Sequence, residues 1–384
     1  MSSIIEKFTA HYGKAPTAVS KAPGRLEILG NHTDYNEGFV LSAAVSQATE
    51  FAIAPTQGTV CRLVDFRGDC RAEFDLNDID RPTPRDWSNY IKGVIVQLRK
   101  RGIEIGAFDG AILSTVPLSA GMSSSAALEV SACFAFREVF GIELPKAEWA
   151  RIGQGVENQY MGLQSGLLDQ FSSIFGHANA LILSDFRINE VLRTISMPSD
   201  YILVVANSMV KHNLVDSEYN TRRTDCEGAA AKIRAVEPGV ATLRDVSSAM
   251  LEKHRNLLTE REYRRAKHVV GEDERVFQGI DYLKEGKIRE FGRLLFESHE
   301  SSIRNFENSC PELDYLVELA RSIPGCVGAR LSGGGFGGIS IHLVEKNAAD
   351  DYCRRLATGF KAQTGKEPEL IRCSIGEGAS SHKL

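Results

Sequence analysis

The chain has 384 residues, enough for two domains, and its 43% hydrophobic and 25% charged residues are the balance of a globular protein. The formal net charge is −5 with no long basic run, which argues against nucleic acid as a partner, and no apolar stretch reaches membrane-spanning length. Eight cysteines, none in a C-x-x-C pair, read as reduced structural thiols of a cytoplasmic protein and offer no zinc spacing. The first residues lack the apolar segment of a secretory signal.

Taken in chain order, Ile4–Tyr12 is an amphipathic helix and Ala18–Lys21 a short strand. Residues 22–42, APGRLEILGNHTDYNEGFVLS, then crowd Arg25, Glu27, Asn31, His32, Asp34 and Tyr35 between glycines. Val40–Ala54 reads as strand, Cys61–Phe74 as a half-exposed strand or hairpin, Trp87–Arg101 as helix and Asp109–Ser114 as strand. Next comes PLSAGMSSSAA at 117–127, followed at once by an apolar helical run, Leu128–Phe140. Small residues let backbone approach a bulky anion, serines add hydroxyl donors, and the helix start aims unpaired N–H groups and the positive dipole end at the loop. Residues Ser119, Ala120, Gly121, Met122, Ser123, Ser124 and Ser125 therefore form a candidate phosphate cradle, although no G-x-x-x-x-G-K-[ST] occurs in the chain.

Further on, Pro145–Met161 and Leu163–Phe175 predict helices, with Glu157 on the first and Asp169 in an apolar setting on the second; a carboxylate so placed is paired or functional. Strands are expected at Ala180–Asp185 and Tyr201–Ala206, a long polar helix at Asp216–Ala235, and several helices over 240–320, broken between Glu285 and Lys287. Val327–Leu331 and Gly338–Leu343 flank a second glycine loop, GARLSGGGFGGIS, before a helix at Asp350–Thr364 and a strand at Glu369–Cys373. Alternating strands and helices in both halves give an α/β or α+β class in two lobes, divided as 1–187 and 188–384, with a site expected between them.

The three glycine-bearing segments resemble the motifs of the GHMP kinases, and the first is similar to the galactokinase signature, GR-V-N-L-I-G-E-H-T-D-Y-N. WSNYIKGV (87–94), GLLDQF (166–171), SEYNTRR (217–223) and ESHESSIRNFENSCPELD (297–314) also resemble galactokinases and follow in the family's order, so the resemblance spans nearly the whole chain. It implies the two-lobed GHMP fold with the active site in the cleft, and an ATP- and Mg²⁺-dependent kinase acting on the anomeric hydroxyl of galactose. It also implies roles. Asp169 is the base or the group that orients the hydroxyl, and Arg25 beside it stabilises developing charge. Asn31, His32, Asp34 and Tyr219 touch the sugar, Ser125 and Glu157 hold Mg²⁺, and Trp87 lies at the adenine pocket. The expected partners are the sugar and ATP, and the expected state is a monomer.

Two departures from the family pattern bear on the sugar: Asn31 stands where the signature has Glu, and Glu27 where it has Asn; Ser42 also replaces the proline that usually follows GFVL. In the family that Glu reaches the C6 hydroxyl. An amide both donates and accepts whereas a carboxylate only accepts, so galacturonate is a rival to galactose. A silent sugar sensor is disfavoured because Ser123–Ser125, Glu157, Asp169 and Arg25 are all present, and the HTDY run argues against mevalonate or homoserine.

Overall fold

The structure, a computed structural model, describes residues 3–118, 121–211 and 215–384. Two sheets organise it. β1 (Ala18–Leu29), β2 (Phe39–Pro55), β3 (Val60–Asp65), β4 (Cys70–Asp75), β5 (Phe108–Ser114), β6 (Ala180–Asp185) and β7 (Glu190–Ser196) belong to the first. β8 (Tyr201–Lys211), β9 (Cys326–Ser332), β10 (Gly337–Glu345) and β11 (Glu369–Cys373) form the second, and β12 (Ser380–Lys383) returns to the first. The first sheet runs β12-β1-β2-β5-β3-β4 with β6 and then β7 branching from β2; β3 and β5 are parallel and the other pairs antiparallel. The second runs β11-β8-β10-β9, antiparallel throughout.

Strand alternation decides what covers each face of the first sheet. Phe51 and Ile53 of β2 join a core made with α2 (Asn89–Arg99), α3 (Ser124–Phe140), α4 (Lys146–Gly155) and α5 (Leu168–Phe175). Ala52 and Ala54, at the alternate positions, pack under α1 (Ile4–Tyr12), whose ends are set by a Ser3–Glu6 capping box and left-handed Gly13. In the second half, α6 (Val215–Arg234), α7 (Ser248–Lys253) and α8 (Glu260–Lys284) share a helical core. α9 (Ile288–Ser301) packs on β9, and α10 (Pro311–Ser322) and α11 (Ala349–Thr364) cover the second sheet. A further apolar cluster joins the halves: Leu26 and Leu29 of β1 meet Ile339 and Ile341 of β10 and Phe291 and Leu294 of α9.

The expected 187/188 division runs through the first sheet, because β7 and β12 lie beyond it in sequence and pair back to β6 and β1. Neither strand announces itself. β7 is a mostly exposed edge and β12 is four polar or charged residues. Two elements also change character at the site. The helix expected to Met161 ends at Gly155 and continues as a wider π-helical turn, Val156–Tyr160, and the helix expected from Leu163 begins only at Leu168. π-helical turns of this kind mark functional sites more often than chance. The expected break between Glu285 and Lys287 separates α8 from α9.

Candidate active site

β1 supplies the first wall. Arg25 and Glu27 are two residues apart on one strand, and its pairing with β2 shifts register at Pro23/Arg25 and again at Glu27/Leu29. Such bulges re-aim side chains beside active sites. Arg25 grips Asp169 from the first turn of α5: Nε lies 2.8 Å and Nη2 2.7 Å from Oδ1. The other carboxylate oxygen accepts from the Ser123 hydroxyl, and Arg25 Nη1 reaches the Gly121 carbonyl at 2.7 Å. Both oxygens of Asp169 are thus held, while its side chain keeps 29% exposure toward the cleft.

Ser123 precedes α3 with φ 56°, a left-handed conformation that costs a non-glycine residue about 1–3 kcal/mol. Its hydroxyl caps nothing in the helix and goes to Asp169, so the strained turn ties the phosphate loop to the acid. Gly121 and Ser123–Ser125 line a cavity of about 460 Å³ together with the glycine loop Gly333–Gly338. Met122 is buried beneath it, and Ser119 and Ala120 lie outside the described residues.

Glu157 sits in the π-helical turn, 5% exposed; Oε1 accepts from Ser125 Oγ at 3.2 Å and Oε2 from Ser165 Oγ at 2.5 Å. Burial, and after it the charge of Asp169, raises this carboxyl above its ordinary range. A divalent cation would reverse that shift, and a hydroxyl beside a carboxylate is a hard-oxygen pair that suits one keeping several waters.

The second cavity, about 280 Å³, is lined by Arg25, Glu27, Asn31, His32, Asp34, Glu157, Asp169 and Tyr219, with the 162–166 loop and Gly333–Gly334. His32 has φ 62° and stacks on Phe306 at 4.3 Å between ring centroids. Burial drives its pKa well below the ordinary value, so the ring is neutral; Nε2 lies 3.0 Å from Asn308 Nδ2 and 3.3 Å from the Gly334 carbonyl, and Nδ1 lies 2.9 Å from the Tyr35 hydroxyl. Asp34 faces Gly166 so closely that a Cβ at 166 would fall on its Oδ2, which is why glycine stands there. Burial, then Glu27's charge, pushes the Asp34 carboxyl up to about 7. Tyr219 on α6 closes the far side, its ring 5.3 Å from that of His32, and burial keeps its phenol protonated. Arg25, Asp169, Gly333 and Gly334 line both cavities, so the acid stands where the two meet.

Three family models match the chain. The galactokinase galactose-binding signature covers residues 6–55, the GHMP kinases N terminal domain 89–177 and the GHMP kinases C terminal domain 280–362. The galactokinase of Roseiflexus sp. (strain RS-1) is 38% identical over 373 residues, 97% of this chain and 95% of that one. The chain belongs to the galactokinase family. The galactokinase of Chloroflexus aggregans (strain MD-66 / DSM 9485) is also 38% identical, over 99% of this chain and 97% of its own. A crystal structure of Lactococcus lactis galactokinase complexed with galactose superposes with TM-score 0.93 at 30% identity, over 98% of both chains. A mevalonate kinase structure at TM-score 0.62 and 20% identity shares the GHMP fold.

Within this galactokinase-family fold, the expected residues from the HTDY run, the serine loop, Glu157, Asp169 and Tyr219 are brought together at the cleft. Trp87 lines neither of these two cavities; it is half-buried against the first core just before α2. Four residues of the second half went unnoticed in the sequence. Asn308 reaches His32 and Asn31, and Arg330 is wholly buried against Glu27. Phe306 stacks on His32, and Glu272 accepts the backbone N–H groups of both Gly30 and Asn31 at 3.0 Å. Asn308 and Phe306 fall in the ESHESSIRNFENSCPELD stretch, which was a usable signal; Glu272 lies in a helix rich in charge, where one more acid carries none.

Proposed function

We propose that this chain is an ATP-dependent galactose kinase that phosphorylates the anomeric hydroxyl to give galactose 1-phosphate. The observation that carries the reading is the Arg25–Asp169–Ser123 junction, shared by a cavity rich in carboxyl and amide groups on one side and a glycine–serine cradle on the other. The galactokinase relatives and the superposition on a galactokinase holding galactose support the same sugar.

In this reading Asp34, His32 and Tyr219 hold sugar hydroxyls, and the start of α3 with the Gly333–Gly338 loop holds the ATP phosphates. Ser125 and Glu157 would hold Mg²⁺, which supplies charge neutralisation at the transferring phosphoryl group. Asp169 takes or orients the proton of the anomeric hydroxyl, while Arg25 fixes its carboxylate and balances charge as the phosphoryl group moves. Galacturonate fits poorly: four carboxyls, Glu27, Asp34, Glu157 and Asp169, already line the sugar cavity, and burial, followed by the charges of Glu27 and Asp169, already raises Asp34. The protein is read as a cytoplasmic monomer, and no helix among the described residues is long and apolar enough to cross a membrane.

The test is ATP consumption with galactose, galacturonate, N-acetylgalactosamine, glucose and arabinose, with the phosphorylated position of the product read by ³¹P NMR. Galactose phosphorylated at C1 is expected. A product carrying phosphate at another carbon, or faster turnover of galacturonate, overturns the reading.

A further inference from the structure

Asn31 and Glu27 face the same wall of the sugar cavity, but their polar atoms are occupied very differently. Asn31 donates both Nδ2 hydrogens to the protein, to Glu27 Oε1 at 2.8 Å and to the Gly333 carbonyl at 2.9 Å, and its Oδ1 accepts from Asn308 Nδ2 at 3.2 Å. An amide has two donors and two lone pairs, so a single acceptor lone pair is left for anything else. Its backbone N–H is held as well, by Glu272. Residue 31 is therefore bracketed on every side and is itself a bracket.

Glu27 is 3% exposed, and both side-chain hydrogen bonds to its carboxyl end on Oε1, from Asn31 and from Arg330 Nη2 at 3.0 Å. Oε2 has no hydrogen bond among the described residues. Arg330 is fixed in turn by the Ile28 carbonyl at 3.0 Å and has no exposure. Two donors on one oxygen lock the plane of the carboxyl and leave the other oxygen pre-oriented, the arrangement that makes a hydrogen bond to a ligand cheap in entropy. The residue types also bear on this. Where the galactokinase signature has Asn and Glu, this chain has Glu27 and Asn31, so the amide–carboxyl pair is kept with its members exchanged.

We infer that Glu27, through Oε2, accepts a hydroxyl of the hexose and sets specificity at this wall, with Asn31 and Arg330 as positioning residues that act through it. The inference rests on the sugar-kinase reading above. It also removes the basis for galacturonate tolerance: Asn31 has no free N–H for a uronate, and a carboxyl still occupies the wall.

The experiment measures binding of galactose and of 2-, 3-, 4- and 6-deoxygalactose by calorimetry, on the native protein and on Glu27→Ala. In the native protein one deoxy sugar should bind about 10- to 100-fold more weakly than galactose, the range for a hydrogen bond to a charged group. In Glu27→Ala that penalty should vanish. Asn31→Ala should lower it only in part, and adding Asn31→Ala to Glu27→Ala should cost nothing further, since the one acts through the other. Should Glu27→Ala fail to fold because Arg330 is left unpaired, Glu27→Ala/Arg330→Met removes the buried charge with its partner and carries the same measurement. Deoxy-sugar penalties unchanged in the Glu27 variant, or effects of residues 27 and 31 that simply add, overturn the inference while leaving the kinase reading intact. A native protein that neither binds nor phosphorylates galactose overturns the kinase reading itself.

Discussion

At the phosphate end of the cleft, the described groups held against one another come from three segments of the first 175 residues: Arg25 on β1, Ser123 and Ser125 at the start of α3, and Glu157 and Asp169 around the 162–166 loop. At the sugar end the visible motif, Asn31 to Asp34, makes local bonds to Glu27, Tyr35, Asn36 and Phe39 and is braced by several residues of the second half of the chain. Glu272 grips its backbone, Asn308 its amide and imidazole, Phe306 the face of His32, and Arg330 the carboxyl beside it. The phosphate end is a set of direct hydrogen bonds between residues proposed above to do chemistry. The sugar end is a motif braced by residues that need touch no substrate. Damage should accordingly read out as lost turnover at the first and as lost sugar affinity or stability at the second.

The largest effect is expected at the junction. Asp169→Asn should reduce kcat by about 10²–10⁴-fold, the usual cost of a missing general base, with ATP binding and the unfolding midpoint near native values. Single-turnover kinetics with saturating galactose give the measurement. A near-native rate would remove Asp169 from the chemistry and turn the junction into a structural ion pair.

Glu272 tests the other side. It has no exposure, and Arg275 Nε lies 2.6 Å from its Oε1. Burial alone would raise its carboxyl, but Arg275 and the other neighbouring charges outweigh burial and hold it well below the ordinary range. Removing one member of a buried pair costs about 3–5 kcal/mol. Glu272→Ala should therefore unfold at markedly lower denaturant and bind galactose more weakly, with a smaller change in kcat. The sign in acid follows from the depressed pKa: the stabilisation is present above the unfolded value near 4.3 and is lost as pH falls toward the folded value. Loss of kcat at unchanged stability and sugar affinity would erase the distinction between the two ends.

The two ends also differ in what the sequence discloses. Arg25, Asp169 and the serines are legible because glycines, small residues and an acid among apolar neighbours are unusual patterns, and each sits within a recognisable motif. Glu272 sits in no motif, and although Arg330 and Asn308 fall inside quoted motifs their bracing does not show there, because a brace is defined by its partner, and these partners lie more than 240 residues away. The fold divides in the same way. The strands with apolar runs and nearly all the longer helices follow from periodicity, but polar β7 and β12 take their place from pairing with β6 and β1. The π-helical turn that carries Glu157 interrupts a pattern that otherwise reads as uniform helix. The role of residue 31 shows the same limit: the resemblance to the galactokinase signature implies an amide facing the sugar, and only the positions of Glu27 and the Gly333 carbonyl show that its donors are taken.

Gly166 gives a smaller and sharper probe, since a Cβ there would fall on Asp34 Oδ2. Gly166→Ala must move either the 162–166 loop or the Asp34 carboxyl, both of which line the sugar cavity. A KM for galactose raised about tenfold, the loss of one ordinary hydrogen bond, with KM for ATP unchanged, is the expected split. An equal rise in both would mean that the loop serves the phosphate end too.

The smallest effect is a pH dependence at the sugar end. The Asp34 carboxyl, pushed up to about 7 by burial and then by Glu27, keeps its proton in the folded protein at pH values where the unfolded chain, titrating near 3.9, has lost it. A raised pKa in an acid means stability that is fully present below about 4 and declines as pH rises to about 7, levelling beyond. Asp34→Asn cannot ionise in either state, so it should become more stable relative to the native protein across that window. The gain is on the order of 1 kcal/mol once screening by solvent in the open cavity is allowed for. Asp273, also pushed up to about 7 by burial, contributes a parallel decline that this variant leaves in place, so the native and variant curves should differ in slope and neither should be flat. Urea midpoints between pH 4.5 and 7.5 measure this directly. Galactose bound during the titration sharpens it further: a sugar hydroxyl donating to Asp34 favours the ionised form, so ligand should shift the native decline to lower pH and leave the Asn variant where it was. If galactose moves both curves equally, Asp34 is not a sugar acceptor, and the carboxyls at that end narrow to Glu27.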